Sequence, residues 1–70
     1  MNRAVLRNTI KVQRAKKDLT QEQLAELVGV TRKTVNTVEK GRYVPSTVLA
    51  LKMAHVLEVT VEELFMLSVE

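Results

Sequence analysis

The sequence predicts an all-α fold built from five short helices. Apolar residues recur at helical spacing through most of the chain, and small polar residues stand where helices would begin. Only two glycines and one proline interrupt this pattern. A chain of 70 residues can make one compact domain, and we expect residues 1–70 to form it.

The first helix is predicted over about Thr9 to Lys17. Asn8 precedes this segment and is a candidate N-cap. Ile10 and Arg14 lie one helical turn apart, so they share a face of the helix.

The sequence does not decide between helix and strand at either end of the chain. The segment Arg3–Arg7 places Ala-Val-Leu between two basic residues without clear periodicity, so it could extend the first helix or form a short strand. The segment Met66–Val69 has the same two alternatives.

The second helix is predicted to begin at Thr20. The Thr20 hydroxyl can accept a hydrogen bond from the amide of Gln23 while the Gln23 side chain reaches back, which is a capping box. We predict that Leu24, Leu27 and Val28 form the buried stripe of this helix.

A tight turn and a third helix follow. Gly29 stands just after the last periodic residue, where a left-handed backbone is required. Thr31 is the next candidate cap, and Val35 and Val38 are spaced to pack inward. Gly41 is predicted to end this helix.

Two more helices are predicted before the C-terminus. Ser46 is the candidate cap of the fourth, whose apolar face consists of Leu49, Met53, Val56 and Leu57. Thr60 and Glu63 form a second capping box, and the small apolar face of the fifth helix consists of Val61, Leu64 and Phe65.

Helices two and three have the features of a helix-turn-helix unit. They are short, a glycine-containing turn joins them, and the second presents polar and basic side chains outward, as a helix in the DNA major groove does. Arginine can donate two hydrogen bonds to guanine, and asparagine can pair bidentately with adenine. Arg32 and Asn36 are therefore the leading candidates for base contacts.

The charge is unevenly distributed along the chain. Residues 1–17 carry a net charge of +6, residues 18–52 carry +1 and residues 53–70 carry −4, so the total is +3. The basic N-terminal part suits a polyanion, and the acidic C-terminal part repels one. Some of this charge is equally compatible with ordinary solvated helix faces, as at Lys11, Lys16, Lys17 and Lys52.

Several classes of protein do not fit the composition. The chain has no cysteine, and its single histidine, His55, has no second histidine with which to share a metal, so we expect no metal and no cofactor. Without paired histidines or a phosphate-binding glycine loop, an enzyme is not expected. The sequence shows no signal peptide and no apolar run of about 18 residues, so we expect a cytoplasmic protein without a membrane span.

The chain from Thr20 to Gly41 reads TQEQLAELVGVTRKTVNTVEKG, and further characteristic segments are PS at 45–46, LALK at 49–52, Ala54 and EELF at 62–65. Over roughly residues 6–65 the sequence resembles the phage-repressor or Cro-type regulators of the XRE family. It is most similar to the compact members that consist of little more than the DNA-binding domain. The resemblance implies a lambda-repressor-like five-helix fold, short terminal strands and a homodimer.

The resemblance also implies roles for individual residues. Lys33 and Thr37 match positions that contact bases beside Arg32 and Asn36. Gln21 matches a phosphate-binding position at the N-terminus of a helix, which suits anions. Arg14 and Glu39 match a structural ion pair between helices one and three. Further phosphate contacts are expected from Thr31, Thr34, Lys40, Arg42 and Tyr43.

We therefore expect a transcriptional regulator, in the first instance a repressor, that binds a pseudo-palindromic operator in double-stranded DNA as a homodimer. The chain has more apolar residues near its C-terminus than a small core needs, so some of them are expected in a dimer interface, and the alternative is that they complete the core of the monomer: Leu57, Val59, Val61, Leu67 and Val69. A small-molecule effector is not expected, because 70 residues leave no room for a ligand domain. The alternative is a protein-interaction module or an antitoxin-like partner with the same fold.

Overall fold

A computed structural model describes residues 3–69 as five helices and a two-stranded antiparallel sheet. The five predicted helices are all present, and the terminal segments that were open between helix and strand are strands. A purely all-α description is therefore incomplete. The elements in chain order are β1 (Ala4–Asn8), α1 (Ile10–Lys16), α2 (Gln21–Val28), α3 (Arg32–Glu39), α4 (Thr47–Leu57), α5 (Val61–Leu64) and β2 (Phe65–Val69).

The sheet joins the two ends of the described chain. Its register runs from Ala4 opposite Val69 to Asn8 opposite Phe65. Each strand has only five residues, too few to display a period of two on its own. Pairing satisfies the backbone groups on the facing edges of the two strands, so the partner rather than the local sequence determines their conformation.

The start of α1 differs from the prediction. Thr9 rather than Asn8 is the N-cap, and the Thr9 hydroxyl donates to the Glu63 carbonyl at 2.8 Å instead of capping the helix. Asn8 ends β1, and its Oδ1 accepts from the Ile10 amide at 3.1 Å. Its Nδ2 donates to the carbonyls of Val38 (3.1 Å) and Glu39 (3.3 Å). Asn8 thereby adds a donor to two carbonyls at the C-terminus of α3, of which the Val38 carbonyl also accepts from the Gly41 amide at 3.0 Å.

The predicted caps of the other helices are confirmed. In the α2 capping box, Thr20 Oγ1 accepts from the Gln23 amide at 3.0 Å and the Thr20 amide donates to Gln23 Oε1 at 2.8 Å. Thr31 and Ser46 cap α3 and α4. Gly29 ends α2 in the left-handed region with φ of 77°. Each of these signals lies within a few residues of the atoms it satisfies.

The core lies between α2, its neighbours α3 and α4, and the start of α1. Leu27 was predicted to be buried, and this is wrong: its side chain is 60% exposed, and Ala25 takes its place. Helix α2 has apolar residues on two sides, with Leu24, Ala25 and Val28 on one and Leu27 on the other. The first side is buried, because it faces α3 and α4. The buried residues are Ile10, Leu24, Ala25, Val28, Val35, Val38, Leu49, Met53, Ala54, Leu57, Leu64 and Phe65.

The assignment of Phe65 to the fifth helix is also wrong. Helix α5 ends at Leu64, and Phe65 is the first residue of β2. Its side chain is still buried, because it packs into the same core from the first position of the strand. Val56, predicted on the apolar face of α4, is half-buried and packs against the core.

The capping box of α5 predicts a measurable pH dependence. Hydrogen bonds from Thr60, its backbone amide first, lower the pKa of Glu63 from the ordinary value of 4.5. The charged form is therefore favoured in the folded state, so this stabilisation is complete above pH 4.5 and is lost as the pH falls through the lower folded-state value. Glu63→Gln keeps an acceptor for Thr60 but cannot titrate. We expect the difference in melting temperature between wild type and this variant to shrink on acidification from pH 7 to below pH 4.

The control for this measurement is Glu62→Gln, on the same exposed first turn but without the Thr60 contact. Its difference from wild type should change less between the two pH values. The effect at Glu63 should be small and should weaken with added salt, since exposed charges are screened. Equal pH profiles for the two variants would contradict the assigned role of Glu63.

Candidate nucleic-acid interface

Helix α3 has one face in the core and one face in solvent. Val35 and Val38 are 0% and 2% exposed, so they anchor the helix against α2. The connection between the helices is short: Gly29 turns the chain, and the Val30 amide donates to the Ala25 carbonyl at 3.0 Å. The outward face is therefore held at a fixed angle to α2 by packing and by the turn.

Arg32 and Asn36 lie one helical turn apart on the outward side of α3. Arg32 is exposed, and it forms no hydrogen bond or ion pair with another residue in the range 3–69. Asn36 is half-buried, and its Oδ1 accepts from Gln21 Nε2 at 3.1 Å. Arg32 is thus available to a ligand along its whole length, whereas Asn36 is already held on one side.

Lys33 and Thr37 lie beside this pair. Lys33 is exposed, and Thr37 is half-buried. The Thr37 hydroxyl donates within the helix, to the carbonyls of Lys33 (3.0 Å) and Thr34 (2.9 Å). Because its single hydrogen is used there, Thr37 can offer a base only an oxygen lone pair and its methyl group, which suits a base amino group or the methyl of thymine.

The loop after α3 folds back beside the same face. The Arg42 amide donates to the Thr37 carbonyl at 3.0 Å, and Gly41 adopts φ of 73°. As a result, Arg42 and Tyr43 line a shallow groove together with Lys33, Thr34 and Thr37. Tyr43 is 50% exposed, so its hydroxyl can be reached from solvent. The loop and the helix form one continuous surface.

The remaining predicted phosphate-binding residues lie around this surface. Thr31 and Lys40 are exposed at the two ends of α3, and the Thr31 hydroxyl also caps the helix by accepting from the Thr34 amide. Gln21 stands at the first position of α2, but both hydrogens of its amide are engaged, with Asn36 and with Glu39. Its side chain therefore has no further N–H for a phosphate in this arrangement.

An ion pair between Arg14 and Glu39 joins α1 to the end of α3. Arg14 Nε lies 2.6 Å from Glu39 Oε2, and Arg14 Nη2 donates to Glu39 Oε1 at 3.2 Å. Arg14 Nη1 also donates to the Leu19 carbonyl at 2.9 Å. The two side chains are only 13% and 8% exposed, so this pair is largely shielded from water. It connects α1, the loop before α2, and the end of α3.

Sequence reasoning missed two contributors to this region. Asn8 binds the C-terminus of α3 across 30 residues, and the Gln21–Asn36 contact spans 15 residues. No local pattern indicates either contact. Both depend on how the helices are packed.

The exposed charge of the surface is positive. Arg32, Lys33, Lys40 and Arg42 are all exposed on or beside α3, whereas the carboxylate of Glu39 is paired with Arg14. This arrangement attracts a polyanion. Residues 3–69 contain no group of three His, Asp or Glu side chains that could hold a metal ion. Over the same range, none of the helices has the length and apolar character needed to cross a bilayer.

Known proteins with similar sequences are transcriptional regulators by name. The uncharacterized HTH-type transcriptional regulator YgzD of Bacillus subtilis is 46% identical over 65 residues, which cover 93% of this chain and 98% of that protein. The HTH-type transcriptional regulator MJ0272 of Methanocaldococcus jannaschii is 45% identical over 60 residues, or 86% and 91% of the two chains.

Solved structures of regulators share the fold. The restriction-modification controller protein C.AhdI from Aeromonas hydrophila superposes with a TM-score of 0.72 at 39% identity, over 77% of this chain and 82% of that one. The clp gene regulator ClgR from Corynebacterium glutamicum gives 0.73 at 30% identity, over 77% and 57%. The family model described as helix-turn-helix matches residues 10–64. The chain belongs to the XRE-type helix-turn-helix family of transcriptional regulators, which are DNA-binding proteins and not enzymes.

Proposed function

We propose that this protein binds a specific pseudo-palindromic site in double-stranded DNA as a homodimer, with α3 of each subunit in the major groove, and represses transcription where that site overlaps a promoter. The observation that carries the proposal is the outward face of α3. Arg32, Lys33, Asn36 and Thr37 lie there, while the opposite face is buried. We expect these four side chains to contact base edges.

Contacts to the DNA backbone would flank these base contacts. Thr31 and Thr34 stand at the start of α3, and Lys40, Arg42 and Tyr43 lie at its end and in the following loop. The N-terminus of α2 at Gln21 adds free backbone amides and a partial positive charge. Such contacts set the register of the protein on the duplex but are independent of sequence.

An apolar face formed by residues of α4 and β2 supports the homodimer. Leu6, Ala50, Leu51 and Phe65 line a groove there, and Leu67 is paired with Leu6 across the sheet. We define the apolar face by its most exposed members, which are 56–72% exposed: Val48, Leu51, Leu67 and Val69. A patch of this kind on so small a protein indicates an interface.

A second copy of the chain is the occupant that fits the proposed DNA site. The apolar face is formed by α4 and β2, whereas the proposed DNA contacts come from α3, the start of α2 and the loop after α3. Two subunits joined through the apolar face would therefore keep both copies of α3 exposed. A two-fold dimer also matches the symmetry of a pseudo-palindrome.

The dimer can be tested at Leu67. Burying a leucine contributes about 1.5–3 kcal/mol, so placing a charge there in both subunits should raise the dimer dissociation constant more than about tenfold. We expect Leu67→Glu to sediment as a monomer at concentrations where wild type is a dimer. Leu27→Glu is the matched control, because Leu27 is similarly exposed, at 60%, on the outer side of α2. If both variants sediment like wild type, the apolar face is not the interface.

The apolar face also allows a second function, in which it binds a different polypeptide, as an interaction module or antitoxin-like partner would. In that case the isolated protein would be monomeric. Purified from cells, it would carry a partner in fixed stoichiometry. Leu67→Glu would then abolish the copurification. The homodimer remains our proposal because the outward face of α3 is rich in hydrogen-bonding groups suited to DNA.

Selection of bound sequences from random duplexes tests the function as a whole. We expect enrichment of an inverted repeat whose half-site centres lie about 34 Å apart, one turn of DNA. A salt series on the enriched site should then show log K falling linearly with log salt concentration, because phosphate contacts release counterions. Failure to enrich any sequence at low salt would overturn the proposal.

A further inference from the structure

Four polar side chains form a continuous hydrogen-bonded chain from α1 to the outward face of α3. Arg14 donates to both oxygens of Glu39, and Gln21 Nε2 donates to Glu39 Oε1 at 3.1 Å. The same Gln21 nitrogen donates to Asn36 Oδ1, also at 3.1 Å. We call these four residues the polar chain. Its last member, Asn36, is one of the proposed base-contacting residues.

The chemistry of Arg14 and Glu39 determines the direction of every hydrogen bond in the polar chain. A guanidinium group can only donate and a carboxylate can only accept. Gln21 must therefore turn its NH₂ group, and not its carbonyl, toward Glu39. The second hydrogen of that NH₂ group points to Asn36, which must present its carbonyl oxygen to receive it.

The orientation of Asn36 follows from this. Its Oδ1 is directed toward Gln21, so its Nδ2, with two hydrogens, occupies the other side of the amide. Within residues 3–69, no acceptor forms a hydrogen bond with Asn36 Nδ2. The group that Asn36 offers to a ligand is thus a donor. Without the polar chain, the amide could rotate by half a turn at little cost and offer its oxygen instead.

We infer that Gln21 is a positioning residue for base recognition, which holds the Asn36 amide so that Nδ2 donates to an acceptor on a base edge. We take this acceptor to be N7 of a purine, which both adenine and guanine present in the major groove. The inference rests on the proposed function, because it concerns the same face of α3. It replaces a side-chain phosphate contact as the main role of Gln21, whose two amide hydrogens are both in use.

The free protein offers a first test that needs no DNA. Scalar couplings across hydrogen bonds should connect Gln21 Nε2 with the side-chain carbonyl carbon of Asn36 and with the carboxyl carbon of Glu39. Gln21→Met, which keeps the length of the side chain but removes its amide, should also shift the Asn36 Nδ2 resonances. Absence of both couplings, with Asn36 resonances unchanged in the variant, would overturn the inference whether or not the protein binds DNA.

Base preference provides the second test. The affinities of wild type, Gln21→Met, Asn36→Ala and the double variant are measured on the selected site and on all its single-base substitutions. We expect Gln21→Met to reduce the preference for a purine about tenfold at the one base pair where Asn36→Ala loses discrimination. In the Asn36→Ala background, Gln21→Met should have no further effect on that preference.

Two results would contradict the inference. If Gln21→Met weakens binding to all sequences equally, as Arg42→Ala is expected to do, Gln21 is a phosphate ligand. If the effects of Gln21→Met and Asn36→Ala on base preference are additive, the two residues act separately. A purely structural role would lower the melting temperature and leave the order of base preferences unchanged. If wild type shows no base preference at all, the proposed function fails, and the couplings in the free protein still decide the role of Gln21.

A reversed variant covers the case in which Gln21→Met does not fold. In Gln21→Glu combined with Glu39→Gln, the side chain at position 39 still accepts from Arg14 and now donates to position 21. The side chain at position 21 can then only accept, so Asn36 must turn Nδ2 toward it and present Oδ1 outward. The preferred base at the Asn36 position should then change to one with an amino group in the major groove, adenine or cytosine. An unchanged preference for either purine in this variant would overturn the inference.

Discussion

Glu39→Ala is expected to lower the free energy of unfolding by about 3 kcal/mol, which is a large part of the stability of so small a domain. Most of this loss comes from the unpaired charge that the substitution leaves on Arg14. Arg14 would keep its charge in a site where its side chain is 13% exposed, with only the Leu19 carbonyl as an acceptor. Gln21 would lose the acceptor for one of its amide hydrogens as well. Urea denaturation followed by circular dichroism measures this change.

Two controls separate burial from charge in this prediction. The ion pair between Lys17 and Glu58 joins α1 to the end of α4, but its side chains are 36% and 71% exposed. Lys17→Ala should therefore cost much less than Glu39→Ala. Replacing both Arg14 and Glu39 with methionine should restore stability relative to either single change, since no unpaired charge is left. Similar losses from Lys17→Ala and Glu39→Ala would show that shielding from water does not determine the strength of the Arg14 pair.

The features that sequence reasoning predicted well are those with local causes. The caps at Thr20, Thr31, Ser46 and Thr60 each bind an amide three residues further along the chain, so the pattern that predicts them includes both partners. Gly29 is similar, because a left-handed residue after a helix favours glycine regardless of the surroundings. These local signals were sufficient to place α2 and α3 and, with them, the candidate DNA face.

The features that it missed depend on distant partners. The strands at the two termini pair with each other across the whole chain, and neither has a clear period of its own. Leu27 was assigned to the wrong side of α2, because the choice of which apolar side is buried depends on where α3 and α4 pack. The contact between Gln21 and Asn36 likewise exists only because α2 and α3 cross at that point.

Arg32→Ala is expected to weaken binding to the selected site by about 1–3 kcal/mol and to relax the preference at a single base pair. Arg32 is exposed and forms no hydrogen bond or ion pair with other residues between positions 3 and 69, so its removal should not disturb the fold. Alanine is also a favourable residue in the first turn of a helix. The measurement compares affinities for the selected site and its single-base substitutions.

Arg42→Ala is the matched comparison, since Arg42 is an exposed arginine beside α3 but lies in the loop. It should weaken all sequences by a similar factor and make the dependence on salt less steep, because it is expected to bind phosphate. The opposite assignment would hold if Arg42→Ala relaxed a base preference and Arg32→Ala weakened all sequences equally.

The spacing of Arg32 and Asn36 adds a geometric condition to the Arg32 prediction. Four residues of helix rise about 6 Å, and successive base pairs are about 3.4 Å apart, so two side chains on one face of a helix in the groove contact base pairs roughly two steps apart. The base pairs relaxed by Arg32→Ala and by Asn36→Ala should therefore be neighbours or nearly so within each half-site. If they lie many steps apart, α3 does not lie in the major groove with this face toward the bases, even if both variants bind DNA more weakly.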